Sequence, residues 1–589
     1  MMKLFFASSF VLQSALLLAQ PSPDKFNLYE QTSETAGLVI QYRQDLAAIQ
    51  HFYSPMVPNR GYSTSTTVLD SPEQRKRKNE LDKSYLAKLA GLDFNAMSVY
   101  GKVDYILLKR NIQDHGLTLA QEEKEYNQLV KYFPFAEKLY ELEKKRRRGT
   151  TVDGQQVAGT LNEVLKEAQA AAEMARKLES LDMPLALRGE EALLGLKARL
   201  KSTYDFYSGY DPLFSWWVPR PYAVLDSTLL AYSKLMRSKG KLTTTQKEDK
   251  SGIKGKPIGR EELLRQLQVE MISYTPEELI KLANQEFAWC DQELLKASQE
   301  MGFGKDWRSA QEKVKNSYVP AGTQPELIMK LYNDARDFIL KNDLIEYPEL
   351  ADEAWGMQMM TPERQLVNPF FLGGRDIIIS YPTQTMEHDD KLMSMRGNNP
   401  YFSRATVQHE LVPGHHLQYY MSSRYKPYRA DFRTPFWTEG WALYWELLLY
   451  DKGFAKTPEE RIGMLFWRMH RCARILFSLN YHLGQWTPQE CIDFLVERVG
   501  HERANAEGEV RRSFEGNYGP LYQVAYLIGG LQIMSLKKEL VDSGKMTYRQ
   551  FHDRIMKENN MPIEMVRATL TNQPLTPNYT TRWKFYSFK

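Results

Sequence analysis

Hydrophobic positions recur at helical spacing through most of the chain, and this pattern predicts a mainly α protein. The clearest amphipathic segments are residues 161–178, 261–272, 276–301 and 325–341. Thr275, Thr457 and Thr487 each precede a proline and then acidic or amide residues, the sequence of a capped helix start. Clear strand signals are rare, and RDIIISYP at residues 375–382 is the strongest of them.

Polar and glycine-rich residues at 239–259 interrupt the helical pattern, which predicts a mobile loop or a boundary between lobes. A chain of 589 residues is too long for one ordinary core, which predicts two or three lobes or one large helical body. Its hydrophobic content of 43% is enough to fill a large core. The 77 basic and 73 acidic residues nearly cancel, so composition does not indicate a nucleic-acid partner.

Residues 1–20, MMKLFFASSFVLQSALLLAQ, have the pattern of a secretory signal peptide: Lys3, an apolar stretch, then small and polar residues. The stretch is too short for a membrane span, and no later segment is apolar enough for one. No cysteine stands near the cleavage point, which argues against a lipid anchor. We therefore expect an exported protein, periplasmic or extracellular, and a buried first helix is the alternative.

The three cysteines are too few and too scattered for a disulfide framework or a cysteine-based zinc site. Buried thiols are expected. Whether Cys472 and Cys491 pair is left open by the sequence.

The candidate chemistry lies in HELVPGHHLQ, residues 409–418, which begins like the zinc-binding pattern H-E-x-x-H. Pro413 stands where the second histidine should be, and His415 and His416 follow two and three positions later. Residues 405–412 are predicted to be helical, since apolar residues lie on one side and no early breaker interrupts them. On an unbroken helix neither histidine can easily share a metal ion with His409. On such a helix His415 would point roughly 120° away from His409, and His416 would lie roughly 10 Å from it along the helix axis.

Pro413 and Gly414 offer a way around this obstacle. Proline lacks an N–H and clashes with the carbonyl four residues earlier, that of His409, while glycine permits unusual torsions. A kink here can turn a later histidine back towards His409. His415, the smaller insertion, is preferred as the second ligand over His416.

A third ligand is expected from TEGWALYWELLLYDKG, the next acidic helix. Glu439 lies 24 residues after His415, a distance at which helical zinc peptidases place a ligating glutamate. Glu446, two turns on, shares its face and is either an orienting group or the ligand itself. One zinc ion per chain is expected, with Glu410 as the base that takes a proton from zinc-bound water.

Tyr526 and His482 are candidate donors to the developing oxyanion. The rival interpretation is structural: histidines that cap a Pro-Gly turn, and a tyrosine packed between helices. Another His-Glu pair, at His501 and Glu502, is predicted to lie on the surface.

Four ordered motifs resemble the family of domain of unknown function 885: HELVPGHHLQ, TEGWALYWE, HLGQW and EVRRSFEGNYGPLYQVAYLIGG, all within residues 373–540. The resemblance implies a gluzincin-like zinc metallopeptidase that hydrolyses peptide bonds. It is similar in plan to the angiotensin-converting and thermostable carboxypeptidase groups, which implies a two-lobed helical body around a deep cleft with a small sheet near the active site. Residues 21–260 would form an N-terminal helical region and 261–589 the catalytic region, in one continuous fold.

Residue by residue, the resemblance carries over to His409, Glu410, His415 or His416, Glu439 and Glu446. A Q-x-x-Y-x-x-G element corresponds to Gln523, Tyr526 and Gly529. One departure concerns His482: the family usually has Asp, Thr or Ser, and Gly before this histidine, whereas Ser478 to Tyr481 reads SLNY. The Asp that would orient His482 in the family pattern is therefore absent from this segment, and Tyr526 is preferred as the oxyanion donor.

The function expected is an exported peptidase for short peptides. Residues 375–382 would form an edge strand that pairs with substrate, and Arg375, Arg474 and Arg512 are candidates to hold a substrate carboxylate. The alternatives are a non-catalytic peptide-binding protein and a metal-dependent hydrolase of a non-peptide amide. Substrate length and side chains, exo- or endopeptidase action, the physiological metal and the oligomeric state are left open.

Overall fold

A computed structural model describes residues 29–57, 61–62, 70–241, 249–365, 370–516 and 518–588. The signal peptide predicted for residues 1–20 lies outside these ranges. The mainly α prediction is confirmed, because helices dominate and the strands that the described ranges contain form short two-stranded pairs. None of the described helices is long and apolar enough to cross a membrane.

The helices before residue 240 are α1 (Ala36–Tyr53), α2 (Pro72–Ala90), α3 (Val99–Leu129), α4 (Ala136–Arg147), α5 (Gly154–Arg176), α6 (Met183–Tyr207), α7 (Pro212–Trp217) and α8 (Pro219–Ser238). The strands here are β1 (Met56–Val57), β2 (Gly61–Tyr62), β3 (Leu181–Asp182) and β4 (Gly240–Lys241). β1 and β2 pair antiparallel, whereas β3 and β4 pair parallel.

The helices that follow, as far as the site, are α9 (Gly259–Val269), α10 (Pro276–Glu300), α11 (Trp307–Lys315), α12 (Gln324–Lys341), α13 (Glu349–Glu353), α14 (Pro362–Gln365), α15 (His388–Gly397), α16 (Pro400–Glu410), α17 (His415–Ser422) and α18 (Pro435–Asp451). The remaining helices are α19 (Pro458–His482), α20 (Pro488–Phe494), α21 (Arg503–Phe514), α22 (Tyr522–Lys537), α23 (Tyr548–Glu558) and α24 (Ile563–Thr571). Between α12 and α15 lie the strands β5 (Met357–Met359) and β6 (Ile377–Ile379).

Three predicted helix starts are confirmed in atomic detail. Thr275, Thr457 and Thr487 are the N-caps of α10, α19 and α20, and each hydroxyl accepts the main-chain N–H of the third helical residue. In each case the glutamate at that third position accepts the N–H of the threonine in return, which satisfies two amides that the helix leaves unpaired.

Two hydrophobic cores fill the molecule. The smaller one involves residues between Tyr126 and Met236, whereas the larger one combines residues 36–112 with residues from 253 onwards. α3 contributes to both cores, so they do not separate at residue 260, where the sequence pattern places a boundary. All three cysteines are buried and free, including Cys472 and Cys491.

A buried ion network ties the N-terminal helices to the C-terminal half of the chain. Arg429 is fully buried, and its Nε donates to Asp104 Oδ1 of α3 at 2.8 Å, while its Nη1 contacts Glu558 Oε2 of α23 at 2.5 Å. Removing one partner of such a network leaves a buried charge without compensation. The network therefore links α3 to two segments that lie more than 300 residues later in the chain.

The strand predicted in residues 375–382 is confirmed as β6, but the expectation that it forms a sheet edge is wrong. β5 pairs with β6 in parallel on one side, and Leu372 bonds to Ile378 in antiparallel fashion on the other. Ile377 and Ile379 are buried, as expected of a central strand. The outer position belongs to the segment around Leu372, which has no repeating hydrophobic pattern to reveal it.

Candidate metal centre and active site

The helix that carries His409 ends sooner than its sequence predicts. α16 begins at Pro400, capped by the Asn399 side chain, and stops at Glu410 rather than continuing through residue 412. α17 starts at His415. The four intervening residues, 411–414, form the break that Pro413 and Gly414 predict.

The break folds the chain tightly back on α16. The Gly414 N–H donates to Gln408 O at 3.1 Å, and a Cβ on Gly414 would lie 1.9 Å from His409 O. Only glycine fits that contact, because any side chain would collide with the main chain. Trp441 Nε1 donates to Pro413 O at 2.8 Å and fixes the turn against α18.

This geometry brings His409 and His415 together. Their ring centroids are 4.7 Å apart and their planes are nearly perpendicular. Their Nε2 atoms lie 3.5 and 3.4 Å from the same atom, Glu439 Oε2. The sequence thus leads to His409, His415 and Glu439, and the structure places one ligand atom of each within 4.8 Å of the others.

The three side chains fit a zinc ion in donor type and spacing. Zinc bonds of ~2.0–2.2 Å in a tetrahedral arrangement place ligand atoms roughly 3.3 Å apart, close to the separations found here. Glu439 Oε2 is buried and has no hydrogen-bond partner. A buried carboxylate oxygen without a partner is costly unless a cation or donor occupies the space beside it.

Glu446 orients His409 rather than joining the cluster. Its Oε1 lies 2.6 Å from His409 Nδ1 and 3.1 Å from Arg471 Nη2. Burial raises the pKa of Glu446, but Arg471 and His409 outweigh burial and hold the pKa below its usual range. An ionised Glu446 accepts from Nδ1 and leaves Nε2 as the lone-pair nitrogen that faces Glu439.

His416, the alternative second ligand, points elsewhere. Its Nδ1 lies 2.9 Å from Arg375 O and its Nε2 lies 2.8 Å from Ala351 O, so both nitrogens face main-chain carbonyls. His416 therefore ties α17 to the segment before β6 and to α13. The structure brings His415, and not His416, to His409.

Glu410 lies beside the cluster in the same cavity. A Cβ on Gly373 would lie 2.1 Å from Glu410 Oε2, so the carboxylate packs directly on the main chain of the segment next to β6. Burial raises the pKa of Glu410. A buried carboxylate of raised pKa next to a metal site has the properties of a proton-transfer group.

Two tyrosines of α22 reach the site because α22 packs very closely on α18. A Cβ on Gly529 would lie 2.0 Å from Phe436 O, so only glycine permits this approach. Tyr526 stacks on the His409 ring at 6.2 Å. Tyr522, one turn earlier, donates its hydroxyl to Glu439 Oε1.

Tyr522 was missed by the sequence interpretation, although it directly precedes Gln523 of the Q-x-x-Y-x-x-G element. Its spacing of four residues from Tyr526 was the available signal, since residues at that spacing share a helix face. Burial raises the pKa of Tyr522, and Glu439 raises it further. The phenol therefore stays protonated and can donate a hydrogen bond.

His482 does not reach the cavity. It is buried at the end of α19, and its ring neighbours are Tyr481 and Phe514. Burial lowers its pKa to about 4. α19 is continuous, and His482 lies eight residues beyond Arg474, roughly 12 Å farther along the axis than a residue that does line the cavity.

The cavity has a volume of ≈ 460 Å³, in the range of small-molecule sites. Arg474 and Arg512 line it, as do Arg364 and Arg471, which the sequence interpretation did not single out. Arg375 is not part of the lining, and its guanidinium lies over the Tyr419 ring instead. A second cavity of ≈ 540 Å³ shares Glu439 and Tyr522 with the first.

Comparisons with known proteins give a family and a fold. The family model "Bacterial protein of unknown function (DUF885)" matches residues 60–570. A structure from Shewanella oneidensis, described as a "putative lipoprotein of unknown function", is 15% identical with a TM-score of 0.59, covering 91% of this chain and 99% of its own. The "putative lipoprotein" from Colwellia psychrerythraea is 16% identical with a TM-score of 0.56, covering 92% and 98%. A search of curated proteins finds no significant match.

Proposed function

The chain belongs to the DUF885 family, and from that premise we propose that it is an exported, zinc-dependent peptidase that hydrolyses short peptides. One observation carries the proposal. Two histidine nitrogens converge on Glu439 Oε2, a buried oxygen without a hydrogen-bond partner, beside Glu410 and inside a cavity. A buried carboxylate oxygen is costly unless a cation or a donor lies beside it, and this favours a metal ion over histidine packing alone.

His409, His415 and Glu439 would hold the metal with one position open. A zinc ion there supplies a water of lowered pKa and polarises the carbonyl to be attacked. Glu410 takes a proton from the attacking water and passes it to the leaving amine. Tyr526 would stabilise negative charge on the carbonyl oxygen, whereas Tyr522 donates its hydroxyl to Glu439 and positions that ligand.

Export is part of the proposal. The pattern of residues 1–20 supports it, and two structures of the same fold are each described as a "putative lipoprotein". The size of the cavity favours short peptides over folded proteins.

The first test is metal content, measured by mass spectrometry on the purified protein after incubation with zinc. We expect one zinc per chain, lost in His409→Ala and retained in His388→Ala, which removes an exposed histidine of α15. No zinc in the unaltered protein would overturn the proposal. If the protein holds zinc and binds peptides but hydrolyses no peptide in a library, the non-catalytic peptide-binding alternative is favoured. If it hydrolyses only amides that are not peptides, the metal-dependent amide hydrolase is favoured.

A further inference from the structure

Three arginines on one side of the cavity share two carboxylates. Arg471 pairs with Glu446, while Arg474 and Arg512 both pair with Glu509. Guanidinium groups stay charged in proteins, so this wall carries more positive than negative charge. Glu410 and Glu439 line the same cavity beside the candidate metal centre, and an anionic group of a ligand would offset the excess positive charge of the arginine wall.

Arg474 is the group best placed to receive that anion. Its side chain is almost fully buried and lines the cavity, and its Nη1 atom has no hydrogen-bond partner. The guanidinium is held in place, because Nε donates to Glu509 Oε1 at 2.9 Å and the group lies 4.2 Å from the centre of the Tyr526 ring. An ordered guanidinium with a free N–H matches a carboxylate oxygen.

The distance to the candidate metal centre defines the ligand further. The Tyr526 ring centre lies 6.2 Å from that of His409 and 4.2 Å from the Arg474 guanidinium, so His409 and the guanidinium lie at most about 10 Å apart. A hydrogen bond to the guanidinium takes up about 3 Å of that span. An extended peptide advances ~3.3–3.6 Å per residue. A carboxylate at Arg474 is therefore separated from a carbonyl at the metal centre by one or two residues.

We propose that Arg474 binds a carboxylate of the substrate on its leaving-group side, so that the enzyme removes one or two residues from the C-terminus of a peptide. This inference rests on the proposed peptidase function and names its substrate class. One water is consumed as the C–N bond breaks. The water oxygen and one hydrogen remain with the new carboxyl group, and the other hydrogen goes to the amine of the released fragment.

Calorimetry on zinc-loaded Glu410→Gln tests the inference without turnover. The probes are an N-acetylated tetra-alanine with a free C-terminus, the same peptide amidated, and an amidated version that ends in aspartate. We expect the free acid to bind about tenfold to a hundredfold more tightly than the amide, as for a hydrogen bond to a charged group. Binding of the aspartate peptide at the strength of the free acid would assign the anion to a side chain and overturn the C-terminal assignment.

Arginine variants then locate the interaction. Adding Arg474→Met should abolish the difference between acid and amide, Arg474→Lys should restore part of it, and Arg375→Met, outside the cavity, should leave it unchanged. Thermal unfolding of each variant checks the fold. Equal affinities for acid and amide in the parent, no binding of either peptide, or an unchanged preference in a folded Arg474→Met protein would each overturn the inference.

The same experiments separate this inference from the proposed function. If the unaltered enzyme hydrolyses free-acid and amidated peptides equally well, the peptidase stands and the carboxylate site falls. If no peptide is hydrolysed but the acid preference depends on Arg474, the carboxylate site stands and the peptidase falls. Analysis of the products by mass spectrometry gives the number of residues released, and release of three or more contradicts the distance argument.

Discussion

The chain contains the dipeptide His-Glu twice, each time with a buried histidine, and only one of the two contributes to a candidate metal centre. At His409 and Glu410, the histidine points Nε2 at an unpaired oxygen of Glu439. At His501 and Glu502, the histidine bonds to another histidine instead, with Nε2 2.8 Å from His470 Nδ1. The surface position predicted for His501 is wrong, because its side chain is buried in the larger core.

Their carboxylates differ in the same way. Glu502 Oε1 lies 3.2 Å from Lys315 Nζ and 2.9 Å from Arg396 Nη2, so it is used in ion pairs. Glu509, which lies near His470, is engaged by Arg474 and Arg512. Two histidines and a glutamate near each other are therefore not sufficient. His470 Nε2 and His501 Nδ1 in this second group also lack hydrogen-bond partners. A metal site further requires ligand atoms that converge, and among the described residues only His409, His415 and Glu439 each place one ligand atom within 4.8 Å of the others.

The largest expected difference between the two dipeptides is in catalysis. Glu410→Gln should lower kcat by about 10²–10⁴-fold, which is the usual contribution of a general base. The zinc content of this variant should be unchanged. Glu502→Gln, the same substitution in the second dipeptide, should leave kcat near that of the unaltered enzyme. Steady-state kinetics on a peptide substrate, with zinc measured in parallel, makes the comparison. Equal activity in the two variants would remove Glu410 from the mechanism.

The second group, which consists of His470, His501 and Glu509, should matter more for stability than for metal binding. Glu509→Gln leaves the buried Arg474 and the half-buried Arg512 without their carboxylate, and breaking a buried pair costs about 3–5 kcal/mol in unfolding free energy. Urea denaturation measures this cost. Glu497→Gln, at an exposed position on the preceding π-helical turn, should change the free energy by less than about 0.5 kcal/mol. If Glu509→Gln lowered the free energy of unfolding by less than about 0.5 kcal/mol, Arg474 and Arg512 would have to find other partners in the variant.

A smaller effect is expected where a carboxylate orients a ligand. Glu446→Gln weakens the hydrogen bond that presents His409 Nε2, and such substitutions typically reduce metal affinity about 10–100-fold. Competition with a chromophoric chelator measures the zinc affinity of the variant and of the parent. Unchanged affinity would mean that packing alone orients the His409 ring.

Lowering the pH should gradually reduce the stability of the protein through His501. Burial lowers the pKa of His501 to about 3, whereas the unfolded chain titrates near pH 6.5, so the unfolded state binds more protons between these values. The contribution of His501 to the free energy of unfolding is therefore fully present above about pH 6.5. It decreases as the pH drops below that value, by up to ~1.4 kcal/mol per pH unit. Urea denaturation from pH 7 to pH 4 should show a shallower dependence in His501→Gln. His388→Gln, at an exposed position, should retain the parent dependence, and identical slopes in all three proteins would contradict the assignment of His501.

Much of the local structure follows from the sequence because its causes are local. Helical periodicity predicts α10 and α12 to within a residue at each end, and the Thr-Pro-Glu signature predicts three helix starts, because capping depends on a few neighbouring residues. The Pro413 and Gly414 break in the histidine helix is predicted for the same reason. The sequence also determines the residue types of the candidate centre and the family.

Only the tertiary structure decided how those residues are used. The choice of His415 over His416 depends on the path of four residues between α16 and α17, which packing against Trp441 fixes. Tyr522 reaches Glu439, and His482 misses the cavity, because of how α18, α19 and α22 pack. The difference between the two His-Glu dipeptides is likewise a matter of partners far apart in sequence. Local propensity acts over a few residues, whereas a site is assembled by contacts across the core, and those contacts decide which ligand atoms stay unpaired.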